Sequence, residues 1–267
     1  MVANIAVVTV CYNDSLALER TIQSVADQDP RPDEYIVVDG GSTDGTDAVI
    51  FNADHVVSRW VSEKDQGIYD AMNKGLALAR SDYIIFLNAG DIFYSKKTIS
   101  TLKAAIASAP WPKPDVVYGD VVLAYPGKLY RRRLAAQEMT ELYKMMPCSH
   151  QSVLASREIL TSFPFRLDVG MIADWCQLVD IKLSGGLFLK LDSVISVFEK
   201  GGVSSVPLNR VKNHWRQYSW VRERGLLTSS DHIGWFKRIL YEVVVWFVSS
   251  VAPDIRDRYL QSKFTKK

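Results

Sequence analysis

The chain has 267 residues, of which 48% are hydrophobic and 23% are charged, and its formal net charge is +2. This balance excludes a disordered, collagen-like or coiled-coil chain, and the small charge gives no indication of a nucleic-acid partner. Cys11, Cys148 and Cys176 are odd in number and far apart, so they predict neither a disulfide framework nor a metal knuckle. A reducing, cytoplasmic compartment fits them best, and the start MVANIAVVTVCYN lacks the basic segment of a signal peptide.

The first part of the chain alternates strand and helix patterns. Short apolar, β-branched runs predict buried parallel strands over residues 5–11, 35–38, 55–60 and 83–87. Apolar residues at helical spacing predict helices between these strands, and turn sequences such as Asp29-Pro30-Arg31-Pro32 separate the elements. The order predicts an α/β fold of Rossmann-like type, with a mostly parallel central sheet and flanking helices.

The second part of the chain is less regular. Strands are predicted over residues 116–118, 121–125 and 128–133, with Pro126-Gly127 turning the last two into a hairpin. A helix over 171–183 and a strand over 187–198 follow, and residues 207–260 have the pattern of helices. We therefore expect an irregular region after the first sheet strands, followed by C-terminal helices.

The last predicted helix contains an uncharged run over residues 243–251. A spanning helix needs about 20 apolar residues, and Lys237, Arg238 and Glu242 interrupt this one too early. Aromatic side chains near Lys and Arg suit a helix that lies in the membrane interface, so we expect peripheral contact with a membrane. A helix that covers the sheet or forms a dimer contact is the alternative.

Polar residues gather at the predicted carboxyl ends of the strands, the edge at which open α/β sheets bind ligands. They are Asn13, Asp14, Asp39, Glu63, Asp65, Gly67, Asn88 and Asp91. Each could instead cap a helix or shape a turn, but their concentration at one edge favours a ligand site. The sequence has no GxGxxG after the first strand, no P-loop and no HExxH. Carboxylates at such an edge can hold Mg²⁺ or Mn²⁺, and the cation can hold a diphosphate.

Four stretches of the sequence carry a resemblance to a known family. They read VVTVCYN at 7–13, IVVDGGSTDGT at 36–46, SEKDQGIYDAMNKGLALARSDYIIFLNAGD at 62–91 and IADW at 172–175. In these stretches the chain resembles the family-2 glycosyltransferases of the GT-A fold, in the branch that assembles bacterial cell-surface glycans. Gly201-Gly202-Val203-Ser204 is similar to a closing loop of that branch. The resemblance implies a catalytic domain over residues 1–205, with a nucleotide-sugar half to residue 95 and an acceptor half over 96–205, and a helical extension over 206–267.

The resemblance also implies a nucleoside diphosphate sugar as the substrate, with UDP favoured over GDP and dTDP. Val10 and Tyr12 would line the base pocket, Asp39 would hydrogen-bond the base, and Asp65 would help to hold the nucleoside. The loop after the second strand has one acid fewer than the frequent DDGS form of the family, because Gly40 follows Asp39.

For the phosphates, the resemblance implies a Mn²⁺ or Mg²⁺ ion bound by Asp91. Asn88 stands where the family usually has the first acid of its DxD-type motif, and its amide would bind ribose or metal-bound water without adding charge.

For the acceptor, a glycan or lipid-linked saccharide, the resemblance implies Asp174 as the general base and Trp175 beside the acceptor. His150 either contacts the diphosphate or the acceptor, or is a satisfied interior histidine. A base and a leaving-group clamp on opposite sides of the sugar imply a single in-line displacement with inversion.

Two other functions are compatible with an α/β nucleotide site. A sugar nucleotidyltransferase would show a glycine-rich loop with Arg and Lys after the first strand, which Cys11-Tyr12-Asn13-Asp14 does not provide. A non-catalytic nucleotide-binding relative would have no need of both Asp91 and Asp174.

Overall fold

The structure, a computed structural model, describes residues 3–110, 112–124, 131–199 and 207–251. The chain divides into two compact units, residues 1–142 with 146–200, and residues 143–145 with 201–267. Within the described residues, the first unit is a mixed α/β domain built on one nine-stranded sheet. The predicted domain boundary after residue 205, the loop at 201–204 and the hairpin turn at 126–127 lie outside the described residues.

The first half of the sheet is parallel, as the sequence predicts. Its strands are β1 (Ile5–Cys11), β2 (Glu34–Asp39), β3 (Arg59–Ser62) and β4 (Tyr83–Phe86). The helices between them are α1 (Ser15–Ala26), α2 (Thr46–Asn52) and α3 (Ile68–Leu78). The spatial order is β3-β2-β1-β4, and every residue of β1 and β4 is buried, as expected of strands covered on both faces.

The second half of the sheet mixes strand directions. Its strands are β5 (Ile92–Phe93), β6 (Val116–Ala124), β7 (Arg131–Leu134), β8 (Val153–Ser156) and β9 (Phe188–Glu199). The helices of this half are α4 (Thr98–Ser108), α5 (Arg157–Ser162) and α6 (Ala173–Leu183). The order continues from β4 as β8-β6-β9-β5, and β7 pairs with the second half of β6. Strand β8 is antiparallel to both β4 and β6, so it joins the parallel half to the rest.

Two strand predictions differ from the structure. The apolar run at 55–60 is not a strand throughout: Val56 and Val57 donate their amides to the carbonyl of Ala53, and β3 begins only at Arg59. Val57 is apolar because its side chain is buried beneath this turn. The predicted strands at 116–118 and 121–125 form the single strand β6, whose register shifts at Gly119, where a Cβ would lie 2.6 Å from the Ser193 carbonyl oxygen.

Helix α3 is held tightly against the sheet. Its buried face consists of Ala71, Met72, Gly75 and Leu76. A methyl group at Gly75 would collide with the Val8 side chain of β1, so the helix backbone packs directly on the strand. This close packing fixes the face of α3 that points away from the sheet.

The second unit contains α7 (Pro207–Glu223) and α8 (Ser229–Val251). Glu242 on α8 is buried and forms an ion pair with Arg210 on α7, and Trp235 on α8 is also buried. None of the helices in the described residues combines the length and the hydropathy needed to cross a membrane.

Candidate active site

The loops after the first strands are joined to one another at the carboxyl edge of the sheet. In the strand register Cys11 is paired with Asp39, and Asp39 with Ser62. The amide of Asn13 donates to Ser42 Oγ at 2.7 Å, and the amide of Thr43 donates to Asn13 Oδ1 at 2.8 Å. These bonds bring the polar residues predicted at the strand ends to one edge.

Asp39 lies at the centre of this edge and is only 1% exposed. Its carboxylate accepts hydrogen bonds from the Ser42 amide at 3.0 Å, from the Ser42 hydroxyl, and from the Ser62 hydroxyl at 2.6 Å. In this structure Asp39 therefore holds the 40–42 turn against β3, and its contact with a nucleotide base stays a prediction.

Tyr12 and Asp65, two of the residues predicted to hold the nucleoside, lie beside Gly40. Val10 is buried, whereas Tyr12 is 66% exposed. A Cβ at Gly40 would lie 2.5 Å from Asp65 Oδ2 and 3.3 Å from Tyr12 Cδ2, so the carboxylate and the ring both approach the Gly40 backbone. Asp65 Oδ1 accepts the amide of Gly67 at 2.8 Å, which fixes the carboxylate in this position. The Tyr12 ring and the Asp65 carboxylate are thus neighbours along this edge.

Replacing Gly40 with Ala is expected to lower nucleotide affinity by about 10-fold, because the methyl group displaces the Asp65 carboxylate and removes a hydrogen bond to a charged group. The carboxylate is the end of a flexible side chain, so the melting temperature should not change. Titration calorimetry with UDP measures the effect. Gly234→Ala in α8, where a Cβ meets nothing within 4 Å, is the control, and an unchanged affinity in Gly40→Ala would remove Asp65 from the nucleotide site.

The turn after β4 carries Asn88 and Asp91. Thr21 on α1 holds this turn, since its hydroxyl donates to the Asp91 carbonyl at 2.8 Å and accepts the Gly90 amide at 2.9 Å. Within the part of the chain that the structure describes, the Oδ1 atom of Asn88 is shielded from solvent and has no hydrogen-bond partner. Asp91 is 4% exposed, and burial raises its pKa to about 7, against the opposing effect of a hydrogen bond with Gln151.

The Asp91 carboxylate and the Asn88 amide oxygen have the chemistry of groups found at divalent-cation sites. The described residues contain no group of three or more His, Cys, Asp or Glu side chains that could enclose a metal ion. One buried carboxylate without a cationic partner and one unsatisfied amide oxygen are hard ligands, and Mg²⁺ in phosphate sites is usually held by one or two carboxylates together with substrate phosphates and water. These properties suit Asp91 to a cation that arrives with a diphosphate, and Asn88 Oδ1 to a ribose hydroxyl or metal-bound water.

Asp174 lies in the first turn of α6, where helix-starting backbone amides favour an acidic side chain. Its Oδ1 accepts the hydroxyl of Tyr69 at 3.1 Å and the amide of Trp175 at 2.9 Å. No hydrogen bond from the described residues reaches Oδ2. Tyr69 is in the first turn of α3, directly after the 63–67 loop, so this contact brings Asp174 to the carboxyl edge of the sheet.

His150 lies close to Asp174 in an aromatic setting. Its ring stacks on Phe86 at 5.7 Å and meets the edge of Phe165 at 5.8 Å. Burial lowers the pKa of His150, although the Asp174 charge opposes the shift. Its Nε2 atom is shielded from solvent, and none of the described residues forms a hydrogen bond with it. His150 is therefore an interior histidine with an unmet hydrogen bond rather than a satisfied one. Both residues line a narrow pocket with room for about one water molecule.

The structure does not bring Trp175 to the same place. Its side chain is 1% exposed, and its indole Nε1 donates to the carbonyl of Leu142 at 2.8 Å. Successive helix residues point in different directions, so Asp174 faces the pocket while Trp175 packs in the core. The contact of Trp175 with an acceptor stays a prediction.

Sequence reasoning missed Tyr69 and Gln151. Tyr69 and Asn73 are polar or amphipathic residues four positions apart on α3, a spacing that places them on one helix face, and that pattern was the available signal. Gln151 follows His150 in the 3-10 turn before β8 and joins Asp91 to the hydroxyl of Ser149. No local pattern distinguishes its role.

Comparisons with known proteins agree with this fold. Residues 6–162 match the sequence model of Glycosyl transferase family 2. A PGL/p-HBAD biosynthesis glycosyltransferase of Mycobacterium tuberculosis (strain ATCC 25177 / H37Ra) is 32% identical over 167 residues, which cover 61% of this chain and 63% of the relative. The chain thus matches somewhat less than two thirds of that relative's length.

Solved structures share the fold at low sequence identity. A mannosyltransferase from Pyrobaculum calidifontis in complex with GDP-Man and Mn²⁺ aligns with a TM-score of 0.67 and 16% identity, over 98% of this chain and 79% of that one. Glucosyl-3-phosphoglycerate synthase from Mycobacterium tuberculosis, in complex with Mn²⁺, UDP and phosphoglyceric acid, aligns with a TM-score of 0.59 and 20% identity, over 85% of this chain and 80% of that one.

The mixed α/β fold and these structural likenesses define a protein of the GT-A fold. Because the family's sequence model matches more than half of the sequence, the chain belongs to glycosyl transferase family 2.

Proposed function

We propose that the protein transfers a sugar from a nucleoside diphosphate to an acceptor hydroxyl with inversion at the anomeric carbon. The observation that supports this most directly is the Tyr69–Asp174 hydrogen bond. It joins α3, the helix that follows the 63–67 loop, to α6, and it uses only Oδ1 of the Asp174 carboxylate, so Oδ2 can take the acceptor proton. A nucleotide site and a base within one unit are what a single displacement requires.

In this reaction the acceptor oxygen forms a bond with the anomeric carbon as the bond from that carbon to the phosphate oxygen breaks. The acceptor proton passes to Asp174 Oδ2, and the electron pair of the broken bond leaves with the diphosphate. A positioned carboxylate base contributes typically about 10²–10⁴-fold. In this proposal Tyr12 and Asp65 hold the nucleoside beside Gly40, Val10 lines the base pocket and Asp39 hydrogen-bonds the base.

Asp91 would hold Mn²⁺ or Mg²⁺ at the diphosphate, and the Asn88 amide would bind ribose or metal-bound water. The cation would neutralise the charge that builds on the leaving group. The unmet hydrogen bond of Asn88 and the burial of Asp91 support this assignment, as do the Mn²⁺ ions named for the two structural neighbours.

The sugar substrate is proposed to carry UDP in preference to GDP or dTDP, although the two structural neighbours were solved with UDP and with GDP-Man respectively. The acceptor is proposed to be a glycan or lipid-linked saccharide of the bacterial cell surface. The mycobacterial relative is named for PGL/p-HBAD biosynthesis, and this supports a role in glycoconjugate assembly.

Thermal-shift measurements with UDP, GDP and dTDP, each with and without Mn²⁺, test the proposal. A nucleotide present at 100 times its Kd stabilises the protein by about 2.7 kcal/mol. We expect one nucleoside diphosphate to raise the melting temperature, with a larger effect when Mn²⁺ is present. No shift with any nucleotide would contradict the proposed substrate class.

We also propose that α8 lies on the membrane surface. Its exposed apolar side chains recur at spacings of three and four residues and so form one stripe: Ile233, Phe236, Leu240, Val244 and Phe247. Lys237 lies exposed within the same stretch and suits anionic headgroups. The enzyme would then work at the cytoplasmic face, where a lipid-linked acceptor is presented.

Replacing Phe236, Leu240 and Phe247 together with Ser is expected to lower binding to anionic vesicles by at least about 100-fold, because each buried side chain contributes about 1.5–3 kcal/mol. Co-sedimentation with vesicles that contain phosphatidylglycerol measures this, and UDP binding should stay unchanged.

The matched control replaces Leu16, Phe51 and Leu183, three exposed apolar residues of the first unit, with Ser. This variant should keep the vesicle binding of the wild type. Failure of the wild type to sediment with the vesicles would contradict the membrane assignment.

A further inference from the structure

Tyr69 is the only side chain among the described residues that donates a hydrogen bond to the Asp174 carboxylate. The second bond to Oδ1, at 2.9 Å, comes from the adjacent backbone amide of Trp175. The Tyr69 bond, at 3.1 Å, comes from a helix that lies 105 residues earlier in the chain. The tyrosine hydroxyl therefore determines how α6 presents the carboxylate to the rest of the unit.

The Tyr69 ring is itself fixed by a second contact of the same helix face. It lies 5.5 Å from the ring of Phe165 at an interplanar angle of 32°. Asn73, one turn after Tyr69, donates to the Phe165 carbonyl at 2.8 Å and accepts the Phe165 amide at 3.0 Å. This pair of hydrogen bonds fixes the backbone of Phe165, so the Phe165 ring against which Tyr69 packs is held in place.

Helix α3 provides a firm base for this arrangement. Gly75 lets the helix backbone approach Val8 so closely that a methyl group would not fit between them. The helix also begins directly after Gly67, whose amide binds Asp65 in the predicted nucleoside site. One rigid element thus connects the nucleoside loop with the acceptor base.

The tyrosine can act only as a hydrogen-bond donor. Burial raises the pKa of Tyr69 strongly, and the neighbouring charge of Asp174 raises it further. The hydroxyl therefore keeps its proton and donates it to Asp174 Oδ1.

We propose that Tyr69 is a positioning residue for the transfer reaction: its hydroxyl occupies Asp174 Oδ1 and leaves Oδ2 as the oxygen that takes the acceptor proton. The inference rests on the proposed role of Asp174 as the base. Tyr69 does not itself touch the reacting atoms. Without it the carboxylate can turn its oxygens, and the fraction of productive orientations falls.

The test compares Tyr69→Phe with the wild type in a steady-state transfer assay. Phe keeps the ring and its contact with Phe165 and removes only the hydroxyl. We expect kcat of Tyr69→Phe to fall by about 10- to 100-fold, the effect of losing one hydrogen bond to a charged group. The KM for the nucleotide sugar should stay unchanged. Tyr83→Phe removes the buried hydroxyl that donates to the Pro114 carbonyl, far from Asp174 in the chain, and should keep the wild-type kcat.

A double variant separates positioning from a general structural role. If Tyr69 acts through the base, adding Tyr69→Phe to Asp174→Asn slows transfer no further. An equal loss on both backgrounds, or a wild-type kcat in Tyr69→Phe beside a slow Asp174→Asn, would overturn the inference alone. Normal transfer by Asp174→Asn would overturn the base itself, and with it the proposed mechanism.

Discussion

The substitution Asp174→Asn is expected to lower the transfer rate by about 10²- to 10⁴-fold and to leave nucleotide affinity unchanged. Asn has the size and shape of Asp, and its carbonyl oxygen can still accept the Tyr69 hydroxyl and the Trp175 amide, so the start of α6 is preserved. What it lacks is an oxygen basic enough to take a proton. Initial rates of transfer and titration calorimetry on the same preparation measure the two effects.

Asp168 provides a control for this variant. It is an exposed carboxylate that pairs with Arg166 in the loop before α6, and Asp168→Asn should transfer at the wild-type rate. If Asp174 merely braced its helix, the cost would be about 1 kcal/mol of stability with little loss of activity. Near-normal transfer would contradict the base assignment, and lost nucleotide binding would place Asp174 in the nucleotide site instead.

Asp91→Asn is expected to abolish Mn²⁺-dependent nucleotide binding and transfer while making the metal-free protein more stable at pH 8. The buried Asp91 carboxyl has a pKa near 7, against an ordinary value of 3.8, so the folded state binds a proton that the unfolded state has lost. Stability therefore falls in the wild type as pH rises from about 4 to about 7, by as much as about 4 kcal/mol. Asn carries no charge and does not incur this loss.

Thermal melts without metal at pH 4 and pH 8 measure the stability of Asp91→Asn relative to the wild type. The two proteins should be equally stable at pH 4, and the variant should be the more stable at pH 8. Asp120 is the contrasting control, because it is equally buried but forms an ion pair with Arg133. Asp120→Asn should therefore destabilise the protein at pH 8. If Asp91→Asn were no more stable than the wild type at pH 8, the carboxylate would have a charge partner and no need of a cation.

The parallel half of the fold was predictable from the sequence because its signals are local. Each of β1, β2 and β4 is an uninterrupted buried run, and turn-forming residues follow it. The strand prediction at 55–60 was wrong because burial beneath a turn gives Val57 the same apolar character as burial in a strand.

The acceptor side could not be predicted in the same way. The pairing of β8 with β4 and β6 is antiparallel and joins segments distant in sequence, which no local pattern specifies. The same holds for side chains: Asp174 was found through a short resemblance, whereas its contact with Tyr69 depends on how α3 and α6 meet. Trp175 directly follows Asp174 in the sequence but packs in the core, so being next to a site residue on a helix does not place a side chain in the site.

Use of a nucleoside diphosphate sugar through Asp91 can be measured directly. The measurement is the release of nucleoside diphosphate from UDP-, GDP- and dTDP-sugars by the wild type and by Asp91→Asn, each with Mn²⁺ and with EDTA. We expect slow release from at least one sugar by the wild type with Mn²⁺, and none with EDTA or from the variant. Release that persists in Asp91→Asn or in EDTA, or no release from any sugar, would contradict it.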